Sequence, residues 1–290
     1  MKIESRLLAL IVCTGSPLLY IPVQALPADI SGPAVAPYPA TQLPKQVQPD
    51  LRQVAKAITV KVLSGDTWGS GILIQKQGQI YTVLTNRHVL TPGEGQRYRI
   101  QTGDGRIYLA NLVNTVSFEG NDLGLLQFRS RRKVYAIASL ETSSNPAVGE
   151  EVFAAGFPIE ATGFFFNVGQ ISLVLDRGFV GGYQIAYTND IQKGMSGGPL
   201  LNRKGKVVGI NGMHSYPLWG NPYVFKDGST PSLSEQQEMI RFSWAVPVQT
   251  FLPLLPRIST RISPEMPTRS QPVIVDPKLP RILHNPELLW

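Results

Sequence analysis

Between Val54 and Val246 the chain is written in short runs of β-favouring residues divided by turn residues, and this rhythm constrains the fold more than any other feature. Runs at Ile58–Leu63, Ser70–Gln75 and Ile80–Thr85 are separated by Ser64-Gly65-Asp66 and by Lys76-Gln77-Gly78-Gln79. Further runs lie at 97–102, 123–128, 151–155, 169–175, 183–188, 199–201, 207–211 and 242–246. Strands that recur at such short intervals predict an all-β sandwich or barrel. Only 51–57 and 234–240 read as short helices. Hydrophobic residues make up 43% and charged ones 16% of the 290, enough apolar surface for a substantial core, and 27 glycines and 24 prolines supply the turns.

The ends read differently. Lys2 and Arg6 precede an apolar stretch from Leu7 to Val23, and Val23-Gln24-Ala25 offers small residues where a signal peptidase reads. Residues 1–25 are therefore expected to be a signal peptide, cleaved after Ala25, which makes the protein secreted or periplasmic. Gly15, Ser16 and Pro17 interrupt the apolar run, so no stable membrane insertion is expected after cleavage. Residues 26–49 read as a proline-rich linker, 50–256 as the folded domain and 257–290 as a proline-rich tail.

Several function classes are disfavoured. The formal charge of +7 is spread thinly apart from Arg129-Ser130-Arg131-Arg132-Lys133, a pattern that does not suit a nucleic-acid face. Cys13 is the only cysteine and would leave with the signal peptide. His88, His214 and His284 show no metal-binding spacing, and no phosphate-cradling glycine motif is present. Neither a metal nor an organic cofactor is expected.

The most informative string is Lys193-Gly194-Met195-Ser196-Gly197-Gly198-Pro199-Leu200, a serine in a glycine-rich turn between two β-like runs. Glycine permits backbone conformations that aim amide N–H groups at one point, where they can stabilise an oxyanion. A serine hydroxyl needs a base, and histidine is the usual one at neutral pH. His88 follows the run Ile80–Thr85, and Asp122 opens the run at 123–128. Asp104 and Asp176 are the other candidates for an acid behind the histidine. Taken singly, each of these residues reads equally well as a turn or strand-end residue.

Thr85-Asn86-Arg87-His88-Val89, Asn121-Asp122-Leu123-Gly124-Leu125-Leu126 and Gly194-Met195-Ser196-Gly197-Gly198-Pro199 together resemble the three motif blocks of chymotrypsin- and trypsin-like serine proteases, in that family's order. Ser70-Gly71-Ile72, Gly156-Phe157-Pro158, Val207-Val208-Gly209-Ile210-Asn211 and Ala245-Val246-Pro247 narrow the resemblance, over about residues 54 to 252, to bacterial protease domains of the Deg/HtrA type. The resemblance implies two six-stranded antiparallel β-barrels with the site in the cleft between them. It implies His88 as general base, Asp122 as its orienting acid, Ser196 as nucleophile, and the N–H groups of Gly194 and Ser196 as an oxyanion hole. The substrate would be a peptide or protein. No PDZ module is expected, because the stretch from residue 257 is too short for one.

Met195 departs from the pattern, since trypsin has an aspartate in its place that pairs with a newly cut N-terminus. The loop must then be held by packing, with Met195 filling an apolar gap, or be disordered until substrate binds. For specificity, Asp190 has the spacing of trypsin's basic-pocket aspartate but reads equally as an exposed loop residue, and His214 falls near the histidine of glutamyl endopeptidases but reads also as a surface or substrate-rim histidine, since Asn211 takes the place after the Gly-Ile pair. Gly212 and Met213 would present backbone to an extended peptide. Aromatic residues Trp219, Tyr223 and Phe225 would either shape a cleft rim or pack on the second barrel. Two rivals to an endopeptidase remain: a catalytically silent peptide-binding protein on the same fold, and an esterase using the same triad.

Overall fold

The computed structural model describes residues 50–143, 146–216 and 221–257, so the expected signal peptide, the linker and the tail lie outside the described residues. The first element is α1 (Leu51–Ile58), begun by Asp50, whose carboxylate accepts from the backbone N–H of Arg52 and Gln53 at 3.0 and 3.3 Å.

Six strands then close on themselves: β1 (Thr59–Ser64), β2 (Thr67–Gln77), β3 (Ile80–Thr85), β4 (Tyr98–Gln101), β5 (Ile107–Leu112) and β6 (Gly124–Arg129). Their order around the barrel is β1-β2-β3-β6-β5-β4, closed where β4 pairs with β1. A second barrel follows from β7 (Glu151–Gly156), β8 (Phe165–Val174), β9 (Ile185–Tyr187), β10 (Pro199–Asn202), β11 (Val207–Met213) and β12 (Ser243–Pro247). It closes where β10 pairs with β7, Leu200 opposite Ala154. All pairings are antiparallel, and closure leaves no barrel edge open to aggregation. Two short helices interrupt the barrels, α2 (Arg87–Leu90) after β3 and α3 (Leu233–Met239) before β12. The expected two-barrel, all-β architecture is the one observed.

Each barrel has its own interior. Val62, Leu73, Tyr81, Val83, Leu126 and Phe128 fill the first, and Val152, Ile171, Tyr187, Met195, Leu200 and Val208 the second. A third apolar cluster draws on both, with Ile72, Leu84 and Leu125 from one barrel and Leu201, Ile210 and Trp244 from the other. Burial of that shared layer is what makes the barrels one unit and fixes the cleft between them.

Of the strands that differ from expectation, two are instructive. β5 has a single buried position, Ala110, so its sequence carries no apolar run to announce it; only its neighbours β4 and β6 make it a strand. β8 begins at Phe165 rather than 169, because Phe165 and Phe166 pair with Gly156 and Ala155 of β7.

The segment joining the barrels is pinned by Glu141. Its carboxylate accepts from the hydroxyl and backbone N–H of Ser143 at 2.7 and 3.1 Å and from Asn202 at 3.2 Å, with Lys206 at 3.6 Å. The Ser143 hydrogen bonds first, then the Lys206 charge and Asn202, hold its pKa at about 2 against an ordinary 4.5. A depressed folded-state pKa stabilises the fold above the unfolded value and loses that contribution as pH falls. Unfolding free energy should therefore drop as pH is lowered from about 4.5 to about 2, and Glu141→Gln should flatten that part of the acid titration. In the first barrel, Phe128 is wholly buried and stacks on Tyr81 with ring centroids 5.3 Å apart. Phe128→Ala should lower the unfolding free energy by about 3–5 kcal/mol, read from urea titration.

Candidate active site

The antiparallel register of β3 and β6 pairs Thr85 with Gly124, so the residues just beyond those two strand ends must meet. His88, on the single turn of α2, and Asp122 thereby come together. His88 Nδ1 lies 2.6 Å from Asp122 Oδ2, and the backbone N–H of His88 donates to Asp122 Oδ1 at 2.9 Å. Asn86 donates from its side-chain amide to the Asp122 carbonyl at 2.8 Å, tying the two loops again. The His88 side chain is 22% exposed and that of Asp122 14%. Burial by itself raises the Asp122 pKa, but the facing His88 and the hydrogen bonds from His88 and Tyr183 outweigh it and hold the carboxyl below its usual value. With Nδ1 occupied by the carboxylate, Nε2 has no partner among the described residues and is left as the basic position.

Ser196 lies in the turn between β9 and β10. The turn is anchored below by Asn211 of β11, whose carbonyl accepts from Gly197 N–H at 2.8 Å and whose N–H donates to Gly198 at 2.9 Å. The buried Asn211 side chain also donates to Ala155 and Pro199 carbonyls and accepts from Tyr187, so the base of the turn is fully bonded. From the first barrel, Ser70 of β2 donates its backbone N–H to the Ser196 carbonyl at 2.8 Å and its hydroxyl to the Gly194 carbonyl at 2.7 Å. The same hydroxyl accepts from Phe157 N–H at 2.9 Å. Gly197 packs so tightly here that an added Cβ would lie 2.2 Å from the Ser70 carbonyl, and its φ of +85° is one that side chains disfavour.

The amides around Ser196 are consequently oriented. The Lys193 carbonyl accepts from Ile159 N–H at 2.8 Å, and in a planar trans peptide this turns the Gly194 N–H the opposite way. Among the described residues neither the Gly194 N–H nor the Ser196 N–H has an acceptor. Gly194 adopts φ +96°, with the Phe157 carbonyl only 2.5 Å from where a Cβ would stand. Met195, wholly buried, points down among the core residues of the second barrel and accepts a weak hydrogen bond at Sδ from Gln192 N–H at 3.5 Å. Met195 fills an apolar space beneath the loop, as the packing alternative expects. Ser196 Oγ donates to the Gly212 carbonyl at 3.1 Å and makes no hydrogen bond to His88.

A cavity of about 940 Å³ adjoins this constellation, and His88, Asp122, Gly212, Met213 and His214 all line it. Its remaining wall is largely apolar, from Val113, Val116, Phe118, Val180 and Val224. His214 is partly buried, with Nδ1 2.7 Å from the Ser215 carbonyl. Asp190 stands apart. Its carboxylate is exposed, accepts from the Gln192 amide at 3.1 Å, and does not line this cavity. In the 221–225 segment Tyr223 and Phe225 pack with Phe179 and Trp244 on the second barrel, while Asn221, Pro222 and Val224 line the cavity. Trp219 lies outside the described residues. Among those residues no group of three or more histidine, aspartate or glutamate side chains could hold a metal ion.

Residues missed from sequence are Asn86, Tyr183 and the wall at 112–118, together with the specific role of Ser70. Ser70 stood within a recognisable string, but its hydroxyl acts across the barrel interface, where no local pattern reports it. The packing of Met195 has a measurable consequence. Met195→Leu should cost less than about 1.5 kcal/mol, while Met195→Ala should cost about 2–5 kcal/mol by opening a cavity beneath the loop, both read by thermal unfolding.

Residues 69–210 match the family described as trypsin-like peptidase domain. The chain is 33% identical over 153 residues to the serine protease Do-like HtrA of Bacillus subtilis, covering 50% of this chain and 33% of that protein. It is 33% identical over 150 residues to the periplasmic pH-dependent serine endoprotease DegQ of Escherichia coli, covering 49% and 30%. The chain thus matches about a third of the length of these relatives. In fold it is similar to the serine endoprotease from Yersinia pestis, with a TM-score of 0.52 at 23% identity over 71% of this chain and 64% of that one. It is likewise similar to the HtrA-type protease AlgW, with a TM-score of 0.53 at 22% identity over 72% and 62%. Over residues 69–210 the chain thus resembles a trypsin-like peptidase domain, and over about half of its length it is similar to serine proteases of the HtrA and DegQ type.

Proposed function

We propose that this protein is an exported serine endopeptidase that cleaves peptide bonds through an acyl-enzyme. The observation that carries the reading is the His88–Asp122 contact of 2.6 Å beside a cavity that Gly212 also lines, with Ser196 bonded to the Gly212 carbonyl and the Gly194 and Ser196 N–H groups unengaged. Ser196 Oγ attacks the scissile carbonyl as His88 Nε2 takes its proton, and the oxyanion is received by the N–H groups of Gly194 and Ser196. Collapse of the tetrahedral adduct breaks the C–N bond, with His88 returning the proton to the leaving amine. Water then repeats the sequence on the ester. Asp122 holds the imidazole in one tautomer and supports its positive charge.

The substrate is an extended peptide laid along Gly212 and Met213 by strand addition, its side chains on the acyl side reaching the apolar cavity. A peptide N–H offered to the Gly212 carbonyl competes with Ser196 Oγ for the same acceptor and favours its turn toward His88. Asp190 has no part in this reading, because its carboxylate is exposed. Export rests on the character of residues 1–25 and on the periplasmic location in the name of the Escherichia coli relative.

The Ser196–Gly212 hydrogen bond also favours a second reading, a peptide-binding scaffold without turnover. Labelling with a fluorophosphonate separates the two. Adduct on Ser196 by mass spectrometry, lost in Ser196→Ala, is the expected outcome, with turnover falling on the order of 10⁶-fold in that variant. A folded protein that takes no label and hydrolyses no peptide would establish the scaffold instead.

A further inference from the structure

We propose that Tyr183, a residue of the second barrel, is a positioning residue for the His88–Asp122 pair of the first barrel, acting through a hydrogen bond from its phenol to Asp122 Oδ2. The inference rests on the protease reading for its catalytic meaning, but the geometry stands by itself.

Tyr183 is 9% exposed, and its hydroxyl donates to the same carboxylate oxygen that His88 Nδ1 contacts. Burial and the facing carboxylate push the phenol well above its ordinary pKa, so it remains a donor at neutral pH. The ring needs a particular space. A Cβ on Gly212 would lie 2.5 Å from the Tyr183 hydroxyl oxygen, so only a glycine at that position of β11 lets the phenol pass to Asp122.

The turn that carries Tyr183 is itself clamped to the first barrel. Gly181 accepts from Asp122 N–H at 2.8 Å, and the turn is closed by bonds from Gly182 N–H to Phe179 and from Phe179 N–H to Tyr183, at 2.8 and 3.0 Å. Val180 N–H donates to Val224 at 2.7 Å, which fixes the far side. Backbone and side chain of Asp122 are thus both held from the opposite barrel. Without Tyr183 the second oxygen of Asp122 would serve His88 alone.

The physical consequence has a sign. A donor on Asp122 Oδ2 draws charge from the carboxylate and limits how strongly it stabilises imidazolium; removing the donor raises the His88 pKa and loosens the ring. Other charged and titratable groups around the pair are Tyr187 beside Tyr183, Lys226 on Asn121, Arg87 paired with Glu94, and Glu119, Lys193 and His214 around the cavity. None of them bonds the Asp122 carboxylate.

The test is Tyr183→Phe, which keeps the ring and deletes the hydroxyl. We expect kcat to fall about tenfold or more with KM little changed, as befits a hydrogen bond to a charged group, and the acid limb of kcat/KM to move to higher pH. The His88 imidazole titration, followed by NMR of the labelled ring, should move the same way and needs no turnover. A protein that fails to hydrolyse peptides would defeat the protease reading while leaving this titration to decide the present one. Gly212→Ala, which forces the hydroxyl off Asp122 with the tyrosine retained, should raise the His88 pKa likewise and serves if Tyr183→Phe is unstable. An unchanged His88 titration in either folded variant overturns the proposal. So does a Tyr183→Phe shift that persists in an Asp122→Asn background, where the acceptor is no longer charged.

Discussion

The hydroxyl of Ser70 sits where the two barrels touch and takes part in the orientation of everything around Ser196. It donates to the Gly194 carbonyl, accepts from Phe157, and belongs to a residue whose own backbone N–H holds the Ser196 carbonyl. A peptide carbonyl fixed in this way fixes its neighbours, because each peptide unit is planar. The Gly194 and Ser196 N–H groups are aimed by the Lys193 and Met195 carbonyls, which accept from Ile159 and Gly198 N–H, while Ser70 of the other barrel holds the intervening Gly194 and Ser196 carbonyls. A closed barrel can be stiff and still leave such a turn loose; here the interface removes the looseness.

The traffic runs both ways across the cleft. Ser70 of the first barrel orients the nucleophile turn of the second, and the 179–183 turn of the second grips Asp122 of the first. Each half of the proposed chemistry is thus held by the barrel that does not carry it. Met195 completes the arrangement from below by apolar burial, in a position where trypsin relies on an ion pair. Packing of a thioether needs no newly cut chain end, so a site formed in this manner does not depend on an N-terminal cut for its geometry.

The cleft has an apolar wall on the Asp122 side and a serine whose hydroxyl rests on the Gly212 carbonyl. These two features belong together in the proposed function. The edge that would receive a peptide backbone is also the acceptor that draws Ser196 away from His88, so occupancy of the edge and readiness of the nucleophile are linked through one oxygen atom.

Much of this was legible in the chain itself. Alternating short runs and turns determined an all-β fold, the boundaries of β3 among them, and the three motif strings located His88, Asp122 and Ser196 because each is bound to a local signal: a strand end, a loop entering an apolar run, a glycine-rich turn. β5 was not legible, since a strand with one buried residue has no periodicity to show. Spacing left Asp190 open as a pocket residue or an exposed loop aspartate, since spacing says nothing of which way a loop side chain faces; in the fold it is exposed. The roles of Ser70 and Tyr183, and the dependence of Tyr183 on a bare Gly212, were decided only by tertiary structure. Their partners lie far away along the chain and on the opposite barrel, and contacts of that kind exist only once both barrels have closed and the apolar layer between them has been buried.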